Sequence, residues 1–218
     1  MKRSKTKLVA ICGIDGAGKT TLLRELTKKD DFKEAAFVRK EFRDNVELIK
    51  KYHHRDLDGG KEWTEGSFSK AAALGASYDF LQHYETIVKP KLSGNIPLIV
   101  CDRYALCFEA YMHSVGIEET FIKNFYANIK QPDFIIYIDI PLSKVRERYE
   151  TRGGPAENET CDSIRLFKES YDILIREYPV PVRIVTNDRP LNETIKDLEV
   201  ILSNNFLSYS SKQRTNEY

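Results

Sequence analysis

The sequence has no long hydrophobic run and almost no net charge. Its 218 residues include 34 Lys and Arg against 33 Asp and Glu, a balance that gives no overall attraction for nucleic acid or an anionic membrane surface. The apolar run after the basic N-terminus, Leu8–Cys12, is too short for a signal or membrane-spanning segment. We therefore expect neither nucleic-acid nor membrane partners, and a cytoplasmic location.

Cysteine is scarce, and the sequence contains only four: Cys12, Cys101, Cys107 and Cys161. Their spacing does not match that of metal ligands. Two of them, Cys12 and Cys101, end apolar runs that indicate buried strands. This pattern favours reduced, structural thiols in a cytosolic protein over a disulfide scaffold.

Five short apolar runs are separated by helix-length sequence: Leu8–Cys12, Ala35–Val38, Ile96–Cys101, Phe134–Ile140 and Val182–Val185. The spacing of apolar residues and the positions of glycine and proline indicate three helices. They cover Ser67–Lys89, which Pro90 is expected to end, the segment from Pro141 to Gly153, and Cys161–Tyr178. This alternation is typical of a parallel sheet covered by helices. We predict one α/β domain over residues 1–206 and a disordered polar tail at 207–218.

A phosphate-binding loop follows the first predicted strand. The segment Gly13-Ile14-Asp15-Gly16-Ala17-Gly18-Lys19-Thr20 fits the pattern G-x-x-x-x-G-K-[ST] and precedes an amphipathic helix. Glycine lets backbone N–H groups surround a phosphate, toward which the helix points its positive end. The predicted nucleotide-binding residues are Gly13, Asp15, Gly16, Ala17, Gly18, Lys19, Thr20 and Thr21.

This loop predicts ATP and Mg²⁺ as cofactors. Lys19 is expected to reach the β- and γ-phosphates, and Thr20 to ligate the metal ion. The alternative is a glycine-rich turn that binds nothing. The position of the motif between a strand and a helix argues against that alternative.

A second charged centre follows the third predicted strand, at Asp102-Arg103-Tyr104. The carboxyl ends of parallel strands are where α/β sheets bind ligands. Asp102 is predicted to contribute to the metal site by holding a water of the Mg²⁺ shell, and Arg103 to bind a second phosphate through two parallel hydrogen bonds of its planar guanidinium. An Asp–Arg pair that merely caps the strand is the alternative, which the phosphate loop in the same sheet disfavours.

These two elements, followed by Ala110-Tyr111 and Pro132-Asp133, resemble the thymidylate kinase family from about Leu8 to Leu202. The resemblance implies a five-stranded parallel sheet with helices on both faces and a small arginine-bearing lid. It also implies transfer of the γ-phosphoryl group of Mg·ATP to a nucleoside monophosphate, thymidylate or a related nucleotide. Members commonly form homodimers. The resemblance places Asp15 near the acceptor sugar, Arg103 on the acceptor phosphate and Tyr111 in the acceptor site.

The phosphate loop lacks the arginine that one branch of the family carries there, so a lid arginine is expected. The lid falls at about residues 143–160, where Arg152 precedes two glycines and Arg148 lies one helical turn before it. Both arginines are predicted to stabilise the transferring phosphoryl group. A solvated helix face is the alternative for such a charge run.

The resemblance breaks down at the positions that contact the base. Phe80 stands where the family has a base-reading arginine, and Met112 where it usually has a glutamine. We expect both side chains to touch the acceptor, with weak discrimination among bases. The family's early Arg-Glu-Pro element becomes Lys40-Glu41-Phe42, with Arg43 close by, and its adenine-binding segment corresponds to Asn187-Asp188-Arg189-Pro190.

Three functions remain open from the sequence. The first is a nucleoside monophosphate kinase, and the second is a P-loop kinase acting on a non-nucleotide acceptor. The third is a nucleotide-binding regulator with little catalysis. The set of Lys19, Thr20, Asp102, Arg103 and Arg152 argues against the third, because a regulator has no need of a lid arginine.

Overall fold

The computed structural model describes residues 6–56, 66–151, 153 and 161–214. Within them, five strands form one sheet in the order β2-β3-β1-β4-β5. The strands are β1 (Lys7–Cys12), β2 (Ala35–Arg39), β3 (Leu98–Asp102), β4 (Phe134–Asp139) and β5 (Val182–Thr186). Every neighbouring pair is parallel. The predicted parallel sheet is therefore confirmed, at the five positions that the apolar runs indicated.

The α-helices of the described residues are α1 (Lys19–Leu26), α2 (Asp44–Asp56), α3 (Gly66–His83), α4 (Lys89–Leu92), α5 (Ala105–Ser114), α6 (Glu119–Phe125), α7 (Leu142–Thr151), α8 (Cys161–Leu174) and α9 (Leu191–Arg214). A short 3₁₀ turn covers Asp30–Phe32. No helix within the described ranges is long and apolar enough to cross a membrane.

The helices form two packed groups. Helix α1 packs against α9, whereas α2, α3, α5 and α8 pack in succession. From β1 the chain first moves to β2 at one edge and later to β4 on the other side of β1. Right-handed crossovers then place α1 on one face of the sheet and the second group on the opposite face. Because the strand order reverses beside β1, the crevice between the ends of β1 and β3 is where a ligand is expected.

The long helix does not end at Pro90. After α3 the chain forms a wider π-helical turn at Tyr84–Val88 and continues as α4 to Leu92. Proline lacks an N–H group, and its ring clashes with the carbonyl four residues earlier in a regular helix. The wider turn directly before Pro90 accommodates the ring, so the proline does not stop the helix as its position had suggested.

The C-terminal segment is also more regular than its composition suggests. Helix α9 continues to Arg214, although a disordered tail was expected from residue 207. The segment from Leu191 to Arg214 contains neither glycine nor proline, so no residue in it interrupts the helical backbone. The end of the predicted tail, residues 215–218, lies outside the described residues.

Candidate active site

The phosphate loop runs from the end of β1 to the start of α1, and its backbone requires glycine. Gly18 precedes α1 with φ of 86°, in the left-handed region. Gly13 has φ of 147°, and a Cβ atom added there would lie 2.6 Å from the backbone oxygen of Ile138 in β4. A side chain at either position would be strained, so these two glycines fix the shape of the loop.

Lys19 begins α1 and points into the loop. Its side chain is 5% exposed, and its Nζ donates a hydrogen bond to the carbonyl oxygen of Ile14 at 2.7 Å. Burial and the nearby Arg103 guanidinium lower the pKa of Lys19, while Asp15 and Asp102 oppose this shift. The amine thus lies in a desolvated loop where the negative charge of a phosphate would favour its charged form.

Thr20 and Asp102 meet across two elements. The Thr20 hydroxyl donates to Oδ2 of Asp102 at 3.0 Å, which joins the start of α1 to the end of β3. Asp102 is only 6% exposed, and its Oδ1 has no hydrogen-bond partner among the described residues. A buried carboxylate oxygen normally has a partner. A hydroxyl beside such an oxygen fits Mg²⁺, which prefers oxygen ligands and keeps several waters.

Arg103 faces the phosphate loop from the other side. Its guanidinium forms an ion pair with Asp15 of the loop. Burial is the largest single influence and disfavours the charge. Asp15, together with Cys107, Tyr171 and Asp102, outweighs it, so the pKa of Arg103 lies above its ordinary value. The backbone of Arg103 has φ of 72°, and its N–H donates to Ile11 at 3.0 Å. A non-glycine residue in this strained region is characteristic of functional sites.

These residues line one cleft of about 690 Å³, whose wall includes Asp15, Gly16, Gly18, Lys19, Thr20, Thr21, Asp102, Arg103, Tyr111 and Arg148. The structure therefore brings most of the predicted site residues together at the carboxyl edge of the sheet. Tyr111 lies on this wall with its phenol partly covered, and burial raises its pKa. One cleft thus contains both the phosphate-binding loop and Arg103.

Phe80 and Met112 do not lie on the wall of this cleft, in contrast to the sequence-based expectation. Phe80 is 1% exposed and Met112 0%. The Phe80 ring stacks on Phe108 at 4.8 Å between centroids and meets Tyr104 edge-on at 5.3 Å. A side chain without a polar group gains more by joining this aromatic cluster than by facing water. Both side chains therefore point into the core and not into the cleft.

Three cations of the cleft were not predicted as site residues. Arg39, Lys40 and Arg43 all line it, and they follow or end β2. Strand β2 pairs with β3 so that Arg39 lies opposite Asp102. The signal in the sequence was a cluster of cations at the end of a predicted strand, which places them at the same edge as the phosphate loop.

Asn187, directly after β5, connects the phosphate loop to helix α9. Its Nδ2 donates to the carbonyl oxygen of Ala17 at 2.7 Å, and its Oδ1 accepts from Thr194 at 3.1 Å. Arg148 donates to the carbonyl oxygens of Gly16 at 2.9 Å and Asn187 at 2.7 Å. A second pocket of about 270 Å³ lies here, lined by Gly18, Thr21, Arg148, Asn187, Arg189 and Leu191.

We predict that Asn187→Ala weakens nucleotide binding. The substitution leaves the buried Ala17 carbonyl without its donor, which costs roughly 1–3 kcal/mol. The KM for ATP is expected to rise about tenfold while the KM for the acceptor changes little. The melting temperature should fall by several degrees. Asn128→Ala, at an exposed position, serves as the control. If Asn187→Ala leaves both the KM for ATP and the melting temperature unchanged, the hydrogen bond from Asn187 to Ala17 does not hold the phosphate loop in place.

The predicted lid is only partly described. Arg148 lies in helix α7 and donates a hydrogen bond to the phosphate loop. Gly153, which follows α7, has φ of 93°. Arg152 and residues 154–160 lie outside the described residues. The role assigned to Arg152 therefore stays a prediction.

A parallel sheet that carries a phosphate loop after its first strand, with a carboxylate and an arginine after the strand beside it, defines a P-loop phosphotransferase. The thymidylate kinase family model matches residues 11–198. The chain belongs to the thymidylate kinase family. It is an ATP-dependent nucleoside monophosphate kinase, and the non-nucleotide acceptor is not favoured.

Individual relatives agree with this assignment. The chain is 28% identical to the probable thymidylate kinase of Metallosphaera sedula, over 94% of this chain and 96% of that protein. It is 26% identical to the thymidylate kinase of Leptospira interrogans, over 94% and 98%. The crystal structure of thymidylate kinase from Ehrlichia chaffeensis has the same fold, with a TM-score of 0.59 and 17% identity over 90% of this chain and 98% of that one.

Proposed function

We propose that the enzyme transfers the γ-phosphoryl group of Mg·ATP to thymidylate or a closely related nucleotide. The observation that carries this proposal is the position of Arg103 in the same cleft as the phosphate loop. Two phosphate sites facing each other are what in-line phosphoryl transfer between two phosphorylated substrates requires. The names of the relatives, thymidylate kinases, supply thymidylate as the acceptor to test first.

Each residue has a proposed role in this reaction. The loop backbone and Lys19 hold the β- and γ-phosphates, while Thr20 and Asp102 hold the metal ion, which neutralises charge on the phosphates when bound. Arg103 holds the acceptor phosphate, and its ion pair with Asp15 fixes the direction of the guanidinium. Arg148 and Arg152 contribute positive charge from the lid side. The polypeptide's contribution is positioning and electrostatic stabilisation, since no covalent intermediate is needed.

A coupled ADP-release assay over a panel of nucleoside monophosphates tests this proposal. We expect turnover with thymidylate or deoxyuridylate, and a requirement for Mg²⁺ that EDTA abolishes. ATP without an acceptor should give only slow hydrolysis. If ATP stabilises the protein against heat but no nucleotide accepts a phosphoryl group, the proposed acceptor class is wrong.

A further inference from the structure

Lys40 occupies an unusual position in the cleft. It follows β2 directly, is half-buried, and its Nζ donates to the carbonyl oxygen of Ala76 in α3 at 3.2 Å. The same Nζ lies 4.7 Å from the centroid of the Phe108 ring in α5. Ala76 and Phe108 both line the cleft. Lys40 thus contacts two helices that contribute to the cleft wall, α3 and α5.

The wall of the cleft that Lys40 lines is partly apolar. Val46 and Val115 on it are partly exposed, whereas Ala76 and Phe108 are only 7% and 5% exposed. A planar base can pack against such apolar surface. The Lys40 ammonium has three N–H donors, and the bond to Ala76 uses one of them. The remaining donors can be offered to a ligand in the cleft, where a hydrogen bond to a charged group is strong.

We propose that Lys40 reads the base of the acceptor, donating a hydrogen bond to the 4-carbonyl oxygen of a pyrimidine ring and so selecting thymine and uracil over cytosine. This inference rests on the proposed function, because it presumes a nucleoside monophosphate in the cleft. Cytosine presents an amino group where thymine presents its 4-carbonyl oxygen. Two donors would then face each other, and a site built around a hydrogen bond rejects such a mismatch strongly.

The charges around Lys40 set the pH range of this selectivity. Burial lowers the pKa of Lys40 to about 8, with Arg103 and Arg43 acting in the same direction and Asp79 opposing. Cys107 also contributes, in the direction of a higher pKa. Below about pH 8 the amine is charged and can only donate. Above it, the neutral amine still donates but also has a lone pair that can accept from the amino group of cytosine. Discrimination between keto and amino bases should therefore decrease as the pH rises through this range.

Lys40→Met tests the proposal, because methionine has a similar length and no donor. The value of kcat/KM is measured at pH 7 for thymidylate, deoxyuridylate and deoxycytidylate. A lost hydrogen bond to a charged donor predicts a decrease of about 10- to 100-fold for the first two, and less than about threefold for deoxycytidylate. Lys40→Arg should retain the preference. Lys70→Met, at an exposed position of α3, is the matched control.

A pH series supplies an independent readout. In the wild type, the ratio of kcat/KM for thymidylate to that for deoxycytidylate should fall between pH 7 and 9. Both acceptors carry the same phosphate group, so its titration cancels in the ratio. In Lys40→Met, with a native-like circular dichroism spectrum, the ratio should stay flat.

The outcomes separate the possibilities. Equal losses on all three acceptors would mean that Lys40 holds the phosphate, and an unchanged variant would mean that it does not touch the acceptor; either result overturns the proposal. A wild type that binds ATP but phosphorylates no nucleotide overturns the proposed function as well. Assays on the wild type alone identify that case, before any variant is made.

Discussion

Replacing Lys19 with methionine is expected to lower kcat/KM by at least about 10³-fold, since a preorganised cation on the transferring group is worth that much. In the structure the Lys19 amine donates a hydrogen bond to the carbonyl oxygen of Ile14. Burial opposes its charge, so its removal relieves a desolvation cost. The fold should therefore survive, and the melting temperature of the protein without nucleotide should hardly change.

The measurements are steady-state kinetics and thermal melts with and without Mg·ATP. Wild-type protein should be stabilised by saturating nucleotide, and Lys19→Met much less so. Lys28→Met is the control, because Lys28 lies just beyond the same helix and makes an exposed ion pair with Glu25. Turnover within a few fold of wild type in a folded Lys19→Met protein would contradict the assigned role.

Replacing Arg103 with alanine should reduce kcat/KM by about 10²- to 10³-fold for every phosphorylated acceptor. The substitution removes the cation from the acceptor site and leaves the Asp15 carboxylate, its ion-pair partner, facing the incoming phosphate. Like charges repel, so the loss includes a new unfavourable interaction. The KM for ATP should stay within about threefold of wild type, because the phosphate loop itself is unchanged.

The double variant Asp15→Asn/Arg103→Ala separates the two effects. It should recover part of the activity that Arg103→Ala loses, since the repulsive carboxylate is gone. Arg24→Ala, at an exposed position of α1, controls for the loss of any surface arginine. If Arg103→Ala lowers kcat/KM much more for some bases than for others, Arg103 contacts the base and not the acceptor phosphate.

The sequence predicts the sheet and the phosphate loop well, because both depend on local patterns. Three of the five apolar runs, those of β1, β3 and β4, are continuous because these strands are buried on both faces. The loop motif specifies backbone conformations that Gly13 and Gly18 adopt. Asp102 and Arg103 could be placed at the same edge because parallel strands end on one side.

The side chains of the acceptor site could not be predicted in the same way. Whether Phe80 faces a ligand or the core depends on Phe108, which stacks on it from another helix. The role of Lys40 likewise depends on Ala76 and Phe108, which only the folded chain brings together. The hydrogen bond from Asn187 to Ala17 joins residues at opposite ends of the sequence. Such contacts follow from tertiary packing and leave no periodic signal.

The strand order also has a consequence for synthesis of the protein. Strand β1 lies between β3 and β4, and Val9 is in register with Val100 on one side and Phe134 on the other. Both neighbours of β1 are therefore made long after it during translation. A nascent chain that ends before β4 contains the complete phosphate-loop sequence but lacks Ile138, against which Gly13 packs. Because pairings between distant segments form late in folding, we expect nucleotide binding only after β4 has left the ribosome, which would make ATP a reporter of nearly completed synthesis.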